Sequence, residues 1–396
     1  MAECHRYIAK QRGIGMKFLH LSDLHIGKTV NGFSMLEEQC HVFGQIIGYI
    51  DTEKPDAVLI AGDVYDRAVP SVEAVHLFDD FLTDLAAKEV TVILISGNHD
   101  SPERLNYASR LLSERKLHLC GVFDGTLRSV TLSDEYGDMK FLLLPFIKPS
   151  GVRGMFADKD IESYTDAINA ALESADIDYS ERNVLLSHQF YTLAGVTPIR
   201  SDSEINPVGG LDAVDAGLLS KFDYVALGHL HGSQGVGGNV RYAGSPIKYS
   251  FSEWKQKKSV TLVEIKEKGN ITLTALPILP LRNMREIKGS LEQLLSDEVS
   301  SQGNKEDYLR VILTDEEEII DPMGKIRSIY PNVMALDFEN SRTSIDISGA
   351  PLGIDQLERL SPYDLFSEFF LEMSGAVLSE EQVQIVRELL EVEGEE

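Results

Sequence analysis

The chain has 396 residues, 43% hydrophobic and 25% charged, the balance of a soluble globular protein too long for one ordinary core. No apolar run approaches the ~18 residues of a membrane span, and the N-terminal stretch lacks the apolar core of a signal peptide. A net charge of −26 excludes a passive nucleic-acid binder, because phosphate binding is driven by cations.

Residues 1–15 precede the first strand and read as a disordered extension. MKFLHLSDLHI, from Met16, is an apolar strand running into polar residues. MLEEQCHVFGQIIGYIDTEK has helical periodicity, PDAVLIAGDVYD is a strand ending in acids, and SVEAVHLFDDFLTDLAAKE is an amphipathic helix before the strand VTVILISGNHD. This βαβαβ rhythm predicts adjacent parallel strands with right-handed crossovers. Further strands follow at MKFLLLPF, NVLLSHQF, FDYVALGHLH and KKSVTLVEIKEK, with a helix near 160–174. Cys4, Cys40 and Cys120 form no C-x-x-C pair, against a disulfide scaffold or thiolate metal site and in keeping with a reducing cytoplasm.

Composition shifts near LPILPLRN. From Leu281 onward there are 10 Lys+Arg against 26 Asp+Glu, so this third is the surface least suited to touch DNA. A small βαβαβ unit is expected over about 281–340, then an aperiodic linker. Two helices close the chain, the first opening at Ser361-Pro362 and the second with a capping box at Ser379 and Gln382. Leu365, Phe366, Phe369, Phe370 and Met373 form one apolar stripe, continued by Val383, Val386 and Leu390. Two short helices cannot bury those rings between themselves, so another surface is required, a partner or their own domain.

The chemistry lies at strand ends. In order, five strands terminate in Asp23-Leu24-His25, Gly62-Asp63, Asn98-His99-Asp100, His188 and Gly228-His229-Leu230-His231. Each alone is better read as a polar turn or a surface imidazole; five in order, each at a strand end, point to a metal site. In D-x-H and H-x-H, the alternation of an extended chain would put both side chains on one face. Nitrogen and oxygen donors without thiolate suit Mn, Fe, Zn or Mg, and so many imidazoles lean away from Mg alone. A carboxylate bridging two ions ~3.5–4 Å apart would allow two-metal phosphoester hydrolysis. His20, inside the first strand, reads as a satisfied core residue, and His5, His41, His76 and His118 receive no role.

D-x-H, G-D-x-x-D, G-N-H-D, a lone strand-end His and G-H-x-H resemble the motifs of the calcineurin-like metallophosphoesterase family. GDVYDRAVPS, SGNHDSPERL, LLSHQF, GHLHGSQ and RYAGSPIKYSFSE resemble its SbcD-type DNA nuclease branch. The resemblance covers about 16–390 and implies an α/β fold. A metallophosphoesterase β-sandwich with flanking helices would span 16–280, a small α/β capping domain 281–342, a linker 343–360 and a helical partner-binding segment 361–396.

It also implies two divalent ions, Mn2+ foremost: one on Asp23, His25, Asp63 and His231, the other on Asp63, Asn98, His188 and His229. His99 would protonate the leaving oxygen and Asp100 would orient its imidazole. The implied activity is a cytoplasmic DNA nuclease, exonuclease on duplex ends and endonuclease on single strands or hairpins. It would act with an SbcC-type coiled-coil ATPase, through which alone ATP enters, as a homodimer within a heterotetramer, using helices near the first and third motifs. The terminal helices resemble the segment that docks on the ATPase.

Arg67, Lys28, Arg104 and Lys248 are loop candidates for DNA contact, as are Arg153 and WKQKK (254–258); Arg67 could as well pair with Asp66. Two rival functions remain. A small-molecule phosphoesterase would explain the metal motifs but not the second domain or the Phe stripe. A non-catalytic scaffold should lack a ligand, and none is missing.

Overall fold

The computed structural model describes residues 15–193, 198–204, 212–341, 362–374 and 377–392. The expected extension over 1–15, but for Gly15, and the linker over 343–360 lie outside them, as does part of the loop VTPIRSDSEINPVGG. Contacts divide the chain into two units, 1–283 and 284–396.

The first unit holds two six-stranded sheets. In the first, β1 (Met16–Leu21), β2 (Ala57–Ala61), β3 (Thr91–Ile95) and β4 (Leu117–Cys120) run parallel in that order. Helices α1 (Leu36–Glu53) and α2 (Val72–Ala87) form two of the crossovers. Ser71 caps α2 by accepting from the Ala74 amide, and Phe43 and Phe81 stack between the helices at 4.4 Å.

The second sheet is built from β5 (Arg128–Asp134), β6 (Gly137–Leu144), β7 (Arg182–Ser187), β8 (Tyr224–Leu227), β9 (Gln234–Gly237) and β10 (Val240–Tyr242). Its order is β9-β10-β8-β7-β6-β5, parallel from β6 to β10 with antiparallel strands at both edges. Strands β11 (Ser259–Ile265) and β12 (Ile271–Pro277) return to the first sheet, antiparallel beside β1.

These parallel strands are largely apolar because most of both their faces is buried. One face of each sheet meets the other: Phe18, Leu59, Ile93 and Val263 share a core with Phe141, Val184, Leu186 and Tyr224. The outer face of the second sheet packs on α3 (Tyr164–Glu173), with Leu142, Leu185 and Val225 against Ala167, Ile168 and Ala171. The result is the metallophosphoesterase sandwich with flanking helices. His20 is a satisfied core residue: its Nε2 donates to the Leu227 carbonyl at 3.1 Å and its Nδ1 pairs with the Tyr224 hydroxyl at 2.9 Å. Burial, with Arg241 nearby, holds its pKa at about 3.

The hairpin β9–β10 occupies the Gly-rich stretch, which carries no hydrophobic period. β5, RSVTLSD, and β12, ITLTALP, alternate apolar with polar residues over only a few positions.

The second unit contains three parallel strands, β13 (Met284–Gly289), β14 (Tyr308–Leu313) and β15 (Val333–Phe338), with β14 central. Leu309, Val311, Leu313, Ile326 and Tyr330 form its core. Two helices follow, α4 (Pro362–Ser374) and α5 (Glu380–Val392). Ser379 and Gln382 exchange capping-box hydrogen bonds of 2.9 and 3.3 Å. Leu365, Phe366 and Phe369 are exposed, Val383 and Val386 half-buried, and Phe366 stacks on a half-buried Phe370 at 6.4 Å.

Candidate metal centre

The carboxyl ends of β1, β2 and β3 in one sheet meet those of β7 and β8 in the other, where parallel α/β sheets bind ligands. All seven expected ligands converge there. Single ligand atoms of Asp23, His25 and His231 lie within 4.8 Å of one another, and the same holds for Asp23, Asp63 and His188. His188 Nε2 is 3.3 Å from Asp63 Oδ2 and 3.1 Å from Asn98 Oδ1, and His229 Nδ1 is 3.0 Å from the same Asn98 oxygen. Asp23, His25, Asp63, His188 and His231 are buried, whereas Asn98, His99 and His229 face the opening.

The convergence does not come from the pleat of an extended chain. Asp23, His25, Asp63 and His229 all have positive φ, at 53°, 44°, 50° and 100°. The alternation argument is therefore corrected: β1 ends at Leu21, and left-handed turns re-aim the side chains beyond it. Such backbone costs about 1–3 kcal/mol per residue and persists only where surrounding structure enforces it. Here cross-loop amides do so, with Asp23 N–H donating to the Gly62 carbonyl at 3.1 Å and His25 N–H to that of Asp63 at 3.0 Å. Gly62, at φ +87°, has no room for a Cβ against the His188 ring.

The nitrogens turned away from the cluster are mostly engaged. His188 Nδ1 donates to the Ala61 carbonyl at 2.7 Å. His231 Nδ1 lies 3.1 Å from Glu253 Oε1 and 2.8 Å from Ser203 Oγ. Each leaves its Nε2 lone pair for the centre, the arrangement that orients metal-binding imidazoles. The exception is His25: its Nε2 faces His231 Nε2 at 3.1 Å while its buried Nδ1 has no partner. A cation taking both Nε2 lone pairs would leave the His25 proton on Nδ1, 3.7 Å from Asp66 Oδ1. The residues therefore fit divalent ions.

The electrostatics agree. Burial pushes Asp23 up to about 6 against the pull of His188 and His231. Burial also raises Asp63, but His188 and His25 outweigh it and hold the carboxyl well below the usual range. Burial lowers His188, yet Asp63 raises it to about 9, while His229, buried beside His188, falls to about 3.

His99 and Asp100 separate in role. His99 Nδ1 donates to the Asp66 carbonyl at 2.9 Å, so a backbone oxygen sets its tautomer and leaves Nε2 free. Asp100 accepts from the amides of Gly97 at 2.8 Å, Tyr65 at 2.9 Å and Val64 at 3.1 Å. The expectation that Asp100 orients His99 is corrected: the carboxylate is occupied in tying the second strand-end loop to the third.

The basic candidates divide. Arg67 is exposed, with Nε 3.6 Å from Asp66, and Lys28 Nζ pairs with Asp66 Oδ1 at 2.6 Å. Arg104 donates to the Ala68 carbonyl at 3.1 Å, and Arg153 to that of Ile161 at 2.9 Å. Lys248 is no free DNA contact: its ammonium donates to the Trp254 carbonyl at 2.7 Å and to Asn283 at 2.9 Å. Lys258 of WKQKK is buried on Glu253 at 2.6 Å, and only Lys255 and Lys257 of that run are exposed.

Sequence reasoning missed the supports. Gln39 donates to the His25 carbonyl at 2.8 Å and accepts from the Gly27 amide at 3.0 Å, holding the first ligand loop to α1. Tyr249 stands 5.6 Å from the His25 ring and 5.7 Å from that of His231, and donates to the Leu24 carbonyl. Glu253 holds His231. The one available signal was polar residues on apolar ground: Gln39 on the buried stripe of α1, and Glu253 between Phe251 and Trp254.

A sandwich whose strand ends gather imidazoles and carboxylates around Asp63 is the arrangement of a metal-dependent phosphoesterase. A family model described as calcineurin-like phosphoesterase matches residues 16–233, and one described as type 5 capsule protein repressor C-terminal domain matches 280–374. The chain is 33% identical to the SbcD component of the nuclease SbcCD of Staphylococcus epidermidis over 382 residues, 95% of this chain and 98% of that one. It is 32% identical to the protein of that name in Staphylococcus saprophyticus over 381 residues, again 95% and 98%. A dimetal phosphatase from Danio rerio aligns at 13% identity and TM-score 0.40, covering 67% of this chain and 97% of that one, too distant to argue from. The chain belongs to the calcineurin-like phosphoesterase family, among the SbcD components of SbcCD nucleases.

Proposed function

We propose that this chain is a metal-dependent DNA nuclease that hydrolyses phosphodiesters at the centre described above, as the catalytic partner of an SbcC-type ATPase. The observation that carries the reading is the convergence of five strand ends from two sheets on one opening, in a chain that aligns end to end with relatives named nucleases. Asp23, His25, Asp63 and His231 would hold one ion, and Asp63, Asn98, His188 and His229 the other, Mn2+ foremost. Bound ions would act as Lewis acids on the phosphoryl oxygens and lower the pKa of the attacking water. The chain's own part is positioning and proton supply. His99, anchored through Nδ1–H, presents Nε2 at the opening, and in its imidazolium form it would pass the Nε2 proton to the leaving oxygen.

The acidic balance supports a protein that needs its partner for DNA affinity. The exposed Leu365, Phe366 and Phe369 are the surface proposed for the coiled-coil ATPase, and ATP acts only through that protein. A homodimer is proposed through exposed Val72 and Val75 of α2 and Tyr107 and Leu111 beyond the third motif. Val75 and Tyr107 line one cavity there, of about 390 Å³.

The test is cleavage of end-labelled linear duplex, single-stranded and hairpin DNA with Mn2+, with and without the ATPase and ATP. Metal-dependent cleavage that extends into the duplex only with partner and ATP supports the reading. Hydrolysis of a small phosphodiester without any DNA cleavage would move the assignment to a small-molecule phosphoesterase.

A further inference from the structure

Beside Asn98 a cavity of about 400 Å³ opens between the loop after β3 and the turn after β6, lined among others by Asn98, Phe123, Phe146, Lys148, Val152 and Met155. Asn98 belongs to both places, since its Oδ1 also lies within 3.1 Å of His188 and 3.0 Å of His229. The half-buried Phe146 ring packs edge to face with the His188 ring, centroids 6.5 Å apart at 82°, so it adjoins the metal centre directly. The ammonium of exposed Lys148 stands 6.0 Å from the Phe146 centroid. Apolar Val152 and Phe123 are buried behind, and Met155 is exposed at the rim. An aromatic wall, an apolar floor and an exposed cation, with Glu103 the exposed acid on the same lining, are joined through a shared residue to the proposed phosphate-binding centre and suit the base of a nucleotide. Every base has a π-face that stacks on such a ring, and a cation alongside attracts the adjoining phosphate.

We infer that this cavity receives the base of a nucleotide flanking the phosphate held at the metal centre, stacked on Phe146 with Lys148 near the next phosphate. The inference rests on the nuclease reading and deepens it. A base can enter only when unpaired, so a duplex end must fray before its terminal bond is cut, while single strands and hairpin loops enter directly. Stacking does not read base edges, so cleavage is sequence-tolerant.

The test uses single-stranded oligonucleotides with one cleavable phosphodiester, flanked by either a base or an abasic residue, with Mn2+. One stacked base contributes about 5- to 150-fold in affinity. Wild type should therefore show a KM about tenfold or more lower for the base-bearing strand at similar kcat. Phe146→Ala and Phe146→Leu, the latter keeping much of the volume without the ring, should reduce that preference below about twofold, and Phe146→Trp should keep it. Equal KM for both strands in wild type, or a preference that survives in both non-aromatic variants, would overturn the inference while leaving the nuclease reading intact. Absence of cleavage of either strand by wild type, with the ATPase and ATP present as well as without them, would sink the nuclease reading and this inference with it.

Discussion

At the scale of single residues, the centre depends on side chains whose far atoms are already tied down. Glu253 is one: burial raises its carboxyl, but Lys258 and His231 outweigh that and hold it at about 2, against an ordinary 4.5. Glu253→Gln leaves Lys258 without its counter-charge, which costs about 3–5 kcal/mol for a buried pair. Urea midpoints should show it, and chelator competition should show metal binding weakened about 10–100-fold. Because the folded pKa is depressed, the stabilisation is complete above pH 4.5 and lost as pH falls towards 2, where variant and wild type should converge. For His188 the sign reverses: the pKa is raised from 6.5 to about 9, so its contribution to the metal-free fold is full below 6.5 and fades towards 9. A metal ion competes with that proton, so affinity should rise across the same interval, and calorimetry in buffers of different ionisation enthalpy should register proton release at pH 7. No release would refute a protonated His188. His99→Ala should lower kcat about 10²–10⁴-fold while elemental analysis still finds two ions. Loss of an ion would make His99 a ligand instead. The residues that gather at the centre were legible because metal-donor side chains are few in kind. The partners of His99 and Asp100 were not, because Asp66 and the amides of 64–65 lie more than thirty positions away and sequence adjacency says nothing of contact.

At the scale of elements, the strand ends were legible and their geometry was not. Apolar runs closed by Gly, Asp or Asn mark the carboxyl ends of buried parallel strands. Pleat alternation gave way to left-handed turns because the ligands stand beyond the last ladder pair, where hydrogen bonds between the two strand-end loops, rather than a regular ladder, hold the backbone. Gly62→Ala should accordingly destabilise the fold by about 1–3 kcal/mol and weaken metal binding, since the new methyl group displaces the His188 ring. Unchanged metal affinity with a normal circular dichroism spectrum would show that the ring is not held there. In the second unit, replacing both Phe366 and Phe369 by Ala should abolish capture of the ATPase. Stability should shift by no more than about 0.5 kcal/mol, as for other exposed positions. A large loss of stability would mean instead that these rings hold the fold of their own unit.

At the scale of the whole molecule, a net charge of −26 sets how DNA is met. The isolated chain should bind duplex DNA weakly and lose that binding as salt rises, read by fluorescence anisotropy between about 50 and 200 mM salt. Tight, salt-independent binding by the chain alone would contradict the proposed need for a partner. The βαβαβ rhythm and the five ordered motifs were enough to point to the family and its fold, because each is written in local runs of a few residues. Tertiary structure alone decided that the ends of two sheets meet at one opening, that Glu253, Lys258, Gln39 and Tyr249 brace it from distant loops, and that Phe146 walls a cavity beside Asn98. Those facts depend on how the faces of two sheets pack, and packing joins residues by distance in space, which no local period records.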